Sequence, residues 1–464
     1  MLTLRAPQAE TLWDELLPLE VRELPEDLAR IDELLGDPEL LRPIAAHWRR
    51  EAEETGRAVL TDGRPTIAME TYVRLMVVKQ RSGFGYETLV REVSDSLHLR
   101  RFCLIPLDER VPDESTLRKL TRRLGADTVA ELTRALIEKA VRERRFRARA
   151  VRIDSTVVET DVRYPTDSGL AADGVRALAG EGKRLARQLG EAKGKVRDRS
   201  RAVARRLREL SRTLARRSGE RKQEVLRLTG EAGSLLEASL REARRLAERA
   251  RRGARGRGAQ AKLRAARALE ELVEGCERVA GQIRARLRGE RISDRLVSLA
   301  DPDARPIRKG KQGKPTEFGY VVQIAEVTPN TKPGARGLVL PASSRPGNPG
   351  ENQLLPDTVS ELQRLGLSPS EVALDGGFQT APTSDALEPL APKRTFIAGR
   401  QQPGSKRTRR RLARYRTGTE GRISHLKRRY GLRRSRLKGQ RGQQTWTGWA
   451  ILTYNLDTLA VRSA

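Results

Sequence analysis

Cysteine is almost missing from these 464 residues: Cys103 and Cys276 lie far apart, with no Cys-x-x-Cys spacing. Neither a disulfide framework nor a cysteine zinc site is expected. Histidine is as scarce. His47, His98 and His425 are scattered along the chain, which removes most zinc chemistry and leaves little for a His-dependent triad. Aromatic residues make up only 4%. No apolar run reaches the roughly eighteen residues that a bilayer crossing needs. The nearest, Trp446 to Val461, is broken by Asn455 and Asp457, so no membrane partner is expected. The opening residues have neither an apolar core nor a small-residue cleavage site, and secretion is not expected either.

What the chain has in excess is positive charge, 92 Lys and Arg against 61 Asp and Glu, a net +31. A surplus of this size predicts an extended polyanion as partner, nucleic acid first, because neutralising phosphates releases their counterions. The surplus is local. Residues 181–290 hold 32 basic and 15 acidic residues and residues 401–440 hold 15 and 1, while the remaining 314 balance at 45 of each. In the first segment many charges have i,i+4 partners. In the second a single acid cannot offset fifteen cations, so that segment is expected to face the polyanion.

To about Ala148 the apolar spacing is helical, with breaks at Thr61–Pro65 and Gly83–Gly85, and Asp113 or Ser115 is placed to cap a helix through Leu117, Leu120 and Leu124. Short helices separated by turns fit a helix-turn-helix and a plain bundle equally. At Arg147 the period changes. Ala148 to Val162 is β-branched and partly alternating, a strand or hairpin, and further strands are expected at Gly319–Val327, Leu338–Leu340, Glu371–Leu374 and Thr395–Ala398. Residues 172–296 carry apolar stripes through Val203, Leu207, Leu210 and Leu214 and through Leu269, Leu272, Cys276, Ala280, Ile283 and Leu287. Their spacing predicts an antiparallel helical hairpin or coiled coil. Two more helices are expected around Leu412–Tyr430 and Trp446–Val461, where Trp446 and Trp449 read as core anchors before base-stacking groups.

Three acids stand out. Asp154 ends the apolar stretch Val151-Arg-Ile, a place that turn and capping residues also occupy. Asp375 follows Val372-Ala-Leu and precedes Gly376-Gly377, where glycines let backbone approach a ligand closely. Glu420 is the lone acid of a basic helix. At 100° per residue Arg416 lies about 40° from it and Lys427 about 20°, one shared face. That face suits a docking metal-bound phosphate, and equally a simple Arg–Glu pair. Asp161, by strand alternation, falls on the face opposite Asp154.

These residues resemble the DDE transposases of bacterial insertion sequences, in the group with a Tyr-x2-Arg-x3-Glu-x6-Lys signature around the last acid. Arg416, Glu420 and Lys427 match it, and Ala413 stands at the signature's Tyr position, with a tyrosine at Tyr415 instead. The likeness extends to Val111–Leu117, Arg305–Lys311, Glu317–Val322, Gly431–Arg436 and Asn455-Leu456. It implies an α/β fold. A ribonuclease H-like catalytic core would start at 148–171 and resume over 297–464, behind an N-terminal helical domain (1–147) for DNA binding or dimerisation. The basic, coiled-coil-like helical segment 172–296 would be an insertion between the first two core strands. It also implies Asp154, Asp375 and Glu420 as catalytic residues and as ligands of two Mg²⁺ or Mn²⁺ ions, which suits a chain poor in Cys and His because hard oxygens hold such ions. Arg416, Lys427, Arg433, Arg434 and Arg436 would contact double-stranded DNA, both the element's terminal repeats and the target. A homo-oligomer, first a dimer, located in the bacterial cytoplasm at the nucleoid, completes the expectation. The reaction implied is cleavage at element ends and transfer of 3′-hydroxyls to target DNA. A catalytically silent DNA-binding descendant and a metal-dependent nuclease without strand joining are the competing readings.

Overall fold

The computed structural model describes residues 1–6, 15–56, 60, 61, 63–190, 196–215, 221–256, 258–308, 316–401 and 404–462. The chain divides into two compact units, Met1–Asp161 with Gly319–Ala464, and Val162–Phe318.

The first unit opens with helices α1 (Leu19–Arg22), α2 (Glu26–Leu35), α3 (Arg42–Thr55), α4 (Met69–Ser82), α5 (Tyr86–Asp95), α6 (Leu97–Phe102) and α7 (Glu114–Arg142). Asp113 caps α7, its carboxylate accepting from the Thr116 amide at 3.0 Å. Hydrogen bonds from Ser115 and Thr116 hold that carboxyl down at about 2. The run Val73–Val78, apolar but for Arg74, makes α4 buried along nearly its whole length. Strand β1 (Ala150–Thr160) follows as one continuous strand rather than a hairpin.

The second unit holds α8 (Asp167–Gln188), α9 (Ser200–Ala215), α10 (Arg221–Arg252), α11 (Ala259–Leu287) and β2 (Arg305–Ile307). The expected two-helix hairpin becomes a four-helix arrangement, because α8 brings Val175, Leu178 and Leu185 onto the core of Leu236, Leu240 and Leu246 from α10 and Leu269, Val273 and Cys276 from α11. Asp167, fully buried at the start of α8, accepts from Arg286 at 2.9 Å and Arg295 at 2.6 Å and so ties α8 to the end of α11. Some of the segment's charge pairs across it: Arg199, just before α9, with Glu242, Arg206 with Glu231, Arg244 with Glu277 and Arg284 with Glu237. Residues 309–311 of the motif at Arg305–Lys311 lie outside the described residues.

The chain then supplies β3 (Glu317–Thr328), β4 (Leu338–Val339), β5 (Ser343–Arg345), α12 (Glu351–Arg364), β6 (Glu371–Leu374), α13 (Thr380–Leu387), β7 (Arg394–Ile397), α14 (Lys406–Arg429), β8 (Arg434–Ser435) and α15 (Gly439–Arg462). Within the first unit β1 is central. It pairs antiparallel with β3 from Ala150↔Thr328 to Glu159↔Gly319, and parallel with β6 from Ala150↔Glu371 to Ile153↔Leu374. Beyond β6 lies β7, also parallel. Strands β4 and β5 pair antiparallel with β3, and β8 runs parallel to the end of β1.

The two faces of this sheet are covered differently. Val151, Ile153, Val372 and Leu374 point into a core shared with the N-terminal helices and with α15. The opposite face, period two along each strand, offers Ala150 and Ala373, small enough for Leu412 and Tyr415 of α14 to pack directly upon them. The boundary expected at residue 147 therefore falls inside a unit, since α15 seats Trp449, Leu452, Leu456 and Leu459 among the helices of residues 26–142. Trp449 meets Tyr72 edge-on at 5.9 Å and is 1% exposed, and Trp446 donates its indole N–H to the Gly431 carbonyl at 2.8 Å. Asn455 grips β4, its amide both accepting from and donating to the Val339 backbone at 2.8 Å.

Candidate active site

Strand alternation puts Ala150, Arg152 and Asp154 on the face of β1 that α14 covers. On β6 the same face carries Glu371 and Ala373, and Asp375 follows one step beyond the strand. Asp154 does not end β1, which runs six residues further. It stands where the pairing with β6 stops, because β6 is only four residues long. Ile153 pairs with Leu374, so Asp154 and Asp375 are the next residues along two adjacent parallel strands. The Asp154 carboxylate accepts from the Ser155 amide at 2.7 Å.

Glu420 comes to this place through Arg416. From α14 the Arg416 guanidinium donates to Asp375 at 2.8 Å and to Glu420 at 3.1 Å, one cation joining two of the three acids. The intrahelical Arg–Glu pair is thus present, and the same guanidinium also reaches Asp375. Lys427 is half-buried two turns further along α14. Glu351, at the start of α12, borders the turn after Asp375 so closely that a Cβ on Gly377 would lie 2.2 Å from its Oε2.

A second polar layer anchors α14 beneath these groups. Arg152 lies directly opposite Glu326 in the β1–β3 register and donates to it at 2.8 and 2.6 Å, with both side chains almost fully buried. The same guanidinium donates to the carbonyls of Tyr415 and Ala335 and stacks over the Tyr415 ring. Arg422, two turns along α14 from Tyr415, donates to the other Glu326 oxygen at 3.0 Å. Gly418 is what lets the helix approach, since a Cβ there would lie 1.9 Å from the Arg152 guanidinium. Glu371 forms a further clamp with Arg411 of α14 and Arg394 of β7. Burial alone would raise its carboxyl, but hydrogen bonds from Arg411, Arg394 and Thr331 outweigh that and hold it below its ordinary range.

Tyr415 takes no part in the site. It is 1% exposed, its hydroxyl bonded to Thr328 at 2.6 Å, and burial pushes its phenol upward. It lies about 100° around the helix from Arg416 and so does not replace the signature Tyr that Ala413 lacks. The 401–440 segment is also less open than its own composition predicts. Arg411, Arg416, Arg422 and Arg434 pair with Glu371, Asp375, Glu326 and Glu159, acids brought in from other segments. Arg434 reaches Glu159 and Asp161 at 3.4 and 3.5 Å from β8, half-exposed, while Arg433 and Arg436 are exposed.

Asp154, Asp375 and Glu420 offer the hard oxygen donors that Mg²⁺ or Mn²⁺ takes. With Arg416 between the last two, no group of three His, Cys, Asp or Glu side chains among the described residues forms a ready cage for a metal ion. The residue chemistry fits such an ion, and Arg416 holds both Asp375 and Glu420.

Residues 22–123 match a transposase domain (DUF772), and residues 297–456 match a transposase DDE domain. The two matches together span more than half of the chain; Asp375 and Glu420 lie inside the second, and Asp154 lies outside both. An uncharacterised protein of Rhizobium meliloti, ORF8 in the nfe locus, is 26% identical over 184 residues, 38% of this chain and 89% of the relative. No solved structure matches the chain. With transposase domains matched both in the N-terminal helices and over β3 to α15, the chain belongs to the DDE transposases of insertion sequences.

Proposed function

We propose that this chain is a working DNA transposase, cutting at the ends of its element and joining the freed 3′-hydroxyls to target DNA, with Asp154, Asp375 and Glu420 as its catalytic acids. The observation that carries the reading is the register of two aspartates at adjacent positions of parallel strands on the face that α14 covers, with Arg416 of α14 bonded both to Asp375 and to Glu420. The sheet supports a ribonuclease H-like core. Strands β4 and β5 flank β3, β3 flanks β1, and β6 then β7 follow on the other side, with β1, β6 and β7 parallel.

A pair of divalent ions bound by the acids supplies an activated water or 3′-hydroxyl and a stabilised leaving oxygen. The chain's own groups do the rest. Arg416 bridges Asp375 and Glu420 and offsets one of their two negative charges while the site is empty of DNA, and its planar fork suits a phosphate as well as a carboxylate. A scissile phosphate beside Asp154 would take that fork over, and Asp154, Asp375 and Glu420 are the residues that would hold the ions. Lys427, two turns along the helix, adds a point charge for the flanking strand. Exposed Arg433 and Arg436 extend the positive surface beyond β8.

The test uses the purified full chain with duplex carrying the element's ends. Cleavage and joining should require Mg²⁺ or Mn²⁺, and Asp154→Ala, Asp375→Ala and Glu420→Ala should each abolish both while DNA still binds. Most strand transfer surviving in Asp375→Ala would overturn the mechanism.

A further inference from the structure

Burying a lysine ammonium is costly unless an anion or a π-face replaces its water. Among the described residues the other deeply buried cations have carboxylates: Arg74 has Glu70 and Asp32, and Arg152 has Glu326. Lys79, on α4, differs. It is 2% exposed, and its Nζ lies 4.8 Å from the ring centre of Tyr86 and 4.5 Å from that of Trp446. Among the described residues no carboxylate stands within ion-pair distance of it.

Both rings are held in place. The Tyr86 hydroxyl donates to Thr121 at 3.0 Å, and the Trp446 indole is fixed on Gly431. Arg436 stands beside the ammonium, and burial together with that second positive charge pushes Lys79 down to about 8. A buried ammonium held between two rings, with an exposed guanidinium lining the same hollow, is an arrangement that an anion completes. The slot opens into a cleft of ≈ 1720 Å³ lined also by Arg118, Arg122, Lys438 and Arg441, far larger than one phosphate group. Glu51, Glu54, Glu87, Asp127 and Glu131 border this cleft too, but its eight Lys and Arg outnumber the five acids.

We infer that Lys79 and Arg436 form a receptor for one backbone phosphate of a DNA strand lying in this cleft, with Tyr86 and Trp446 holding the lysine ready. The inference rests on the DNA-transferring reading, but it concerns residues outside the acidic site: Arg436 is already expected to meet DNA, and what is added is Lys79 and its aromatic slot as the other half of one phosphate contact. The occupant is a phosphodiester of an extended strand rather than free phosphate, because the further cations continue along the cleft where a second and third phosphate would follow.

Equilibrium binding of a fluorescent duplex to the full chain, across a series of salt concentrations, tests it. Lys79→Met fills the same slot without the charge. It should weaken binding about tenfold or more at low salt and lower the slope of log affinity against log salt by about 0.9, the share of one phosphate. Its thermal midpoint should stay level or rise, since a buried charge with no carboxylate partner is gone while the side chain still packs against both rings. Arg436→Gln, exposed and without a packing role, should weaken binding in the same direction and carries the test if the first variant fails to fold. Wild-type affinity and slope in both variants would overturn the receptor, as would inorganic phosphate displacing duplex at matched ionic strength from wild type and not from Lys79→Met, which would make it a free-phosphate site. Absence of duplex binding by the wild-type chain would instead overturn the DNA reading itself.

Discussion

Replacing Glu326 by Gln perturbs the layer beneath the acids without touching them. The carboxylate accepts four hydrogen bonds: from the Arg152 Nε at 2.8 Å and terminal nitrogen at 2.6 Å, from Arg422 at 3.0 Å and from the Gly337 amide at 2.8 Å. A glutamine keeps one accepting oxygen and turns an NH2 group toward whichever donors faced the other. Two guanidiniums that are 4% and 11% exposed then lose their shared counter-charge. Removing one partner of a buried ion pair costs about 3–5 kcal/mol, because a charge is left without compensation. Urea unfolding followed by tryptophan fluorescence reads this, since Trp48, Trp446 and Trp449, the tryptophans among the described residues, belong to the first unit. Replacing the trio together, Arg152→Met with Glu326→Leu and Arg422→Leu, should recover most of the lost stability. It should not recover strand transfer, because α14 would lose its bonds from Arg152 to the Tyr415 carbonyl. A loss under about 1 kcal/mol in Glu326→Gln would refute the view that this network clamps the helix.

Gly418→Ala should drive the Arg152 guanidinium from its seat, costing about 1–3 kcal/mol as overpacking does and reducing strand transfer more than DNA binding; equal activity in the two proteins would count against the close approach. Glu371→Gln should destabilise the protein near neutral pH and converge with wild type in acid. The sign follows from a carboxyl held below its ordinary value of 4.5: its contribution is fully present above that value and is lost as pH falls through the lower native one. Stability curves for both proteins between neutral and acid pH check this, and a gap that widens in acid would reverse the assignment.

The strands carrying the acids were legible because each has a signature of its own. Val372-Ala-Leu before Asp375, and the β-branched run through Asp154, declare themselves by composition, and β6 spans the residues expected of it. Three short strands, β2, β5 and β8, escaped because two or three residues carry no periodicity. Arg152 and Glu326 were overlooked although the signal was there: a charged residue in the middle of an apolar strand asks for a buried partner. What no local count could reveal is pairing across the chain. The 401–440 segment looks unopposed in its own window, yet Glu371 and Glu326 reach it from 40 and 96 residues away. Nor could periodicity show that the N-terminal helices and α15 share one core, since each apolar stripe predicts that it is buried without saying against what.

The seating of α15 among the first helices has a consequence for synthesis. Tyr72, Leu132 and Leu136 leave the ribosome more than three hundred residues ahead of Trp449 and Leu456, the groups that cover them. Strand β1 likewise emerges long before β3, with the whole second unit translated between them. That unit has its own core and can settle while the first waits open, its apolar helix faces and the edges of β1 exposed to the cell throughout. A reading frame broken anywhere before Gly439 should therefore yield no partly functional fragment; it should yield a chain with an unfinished core, prone to aggregation and quickly degraded.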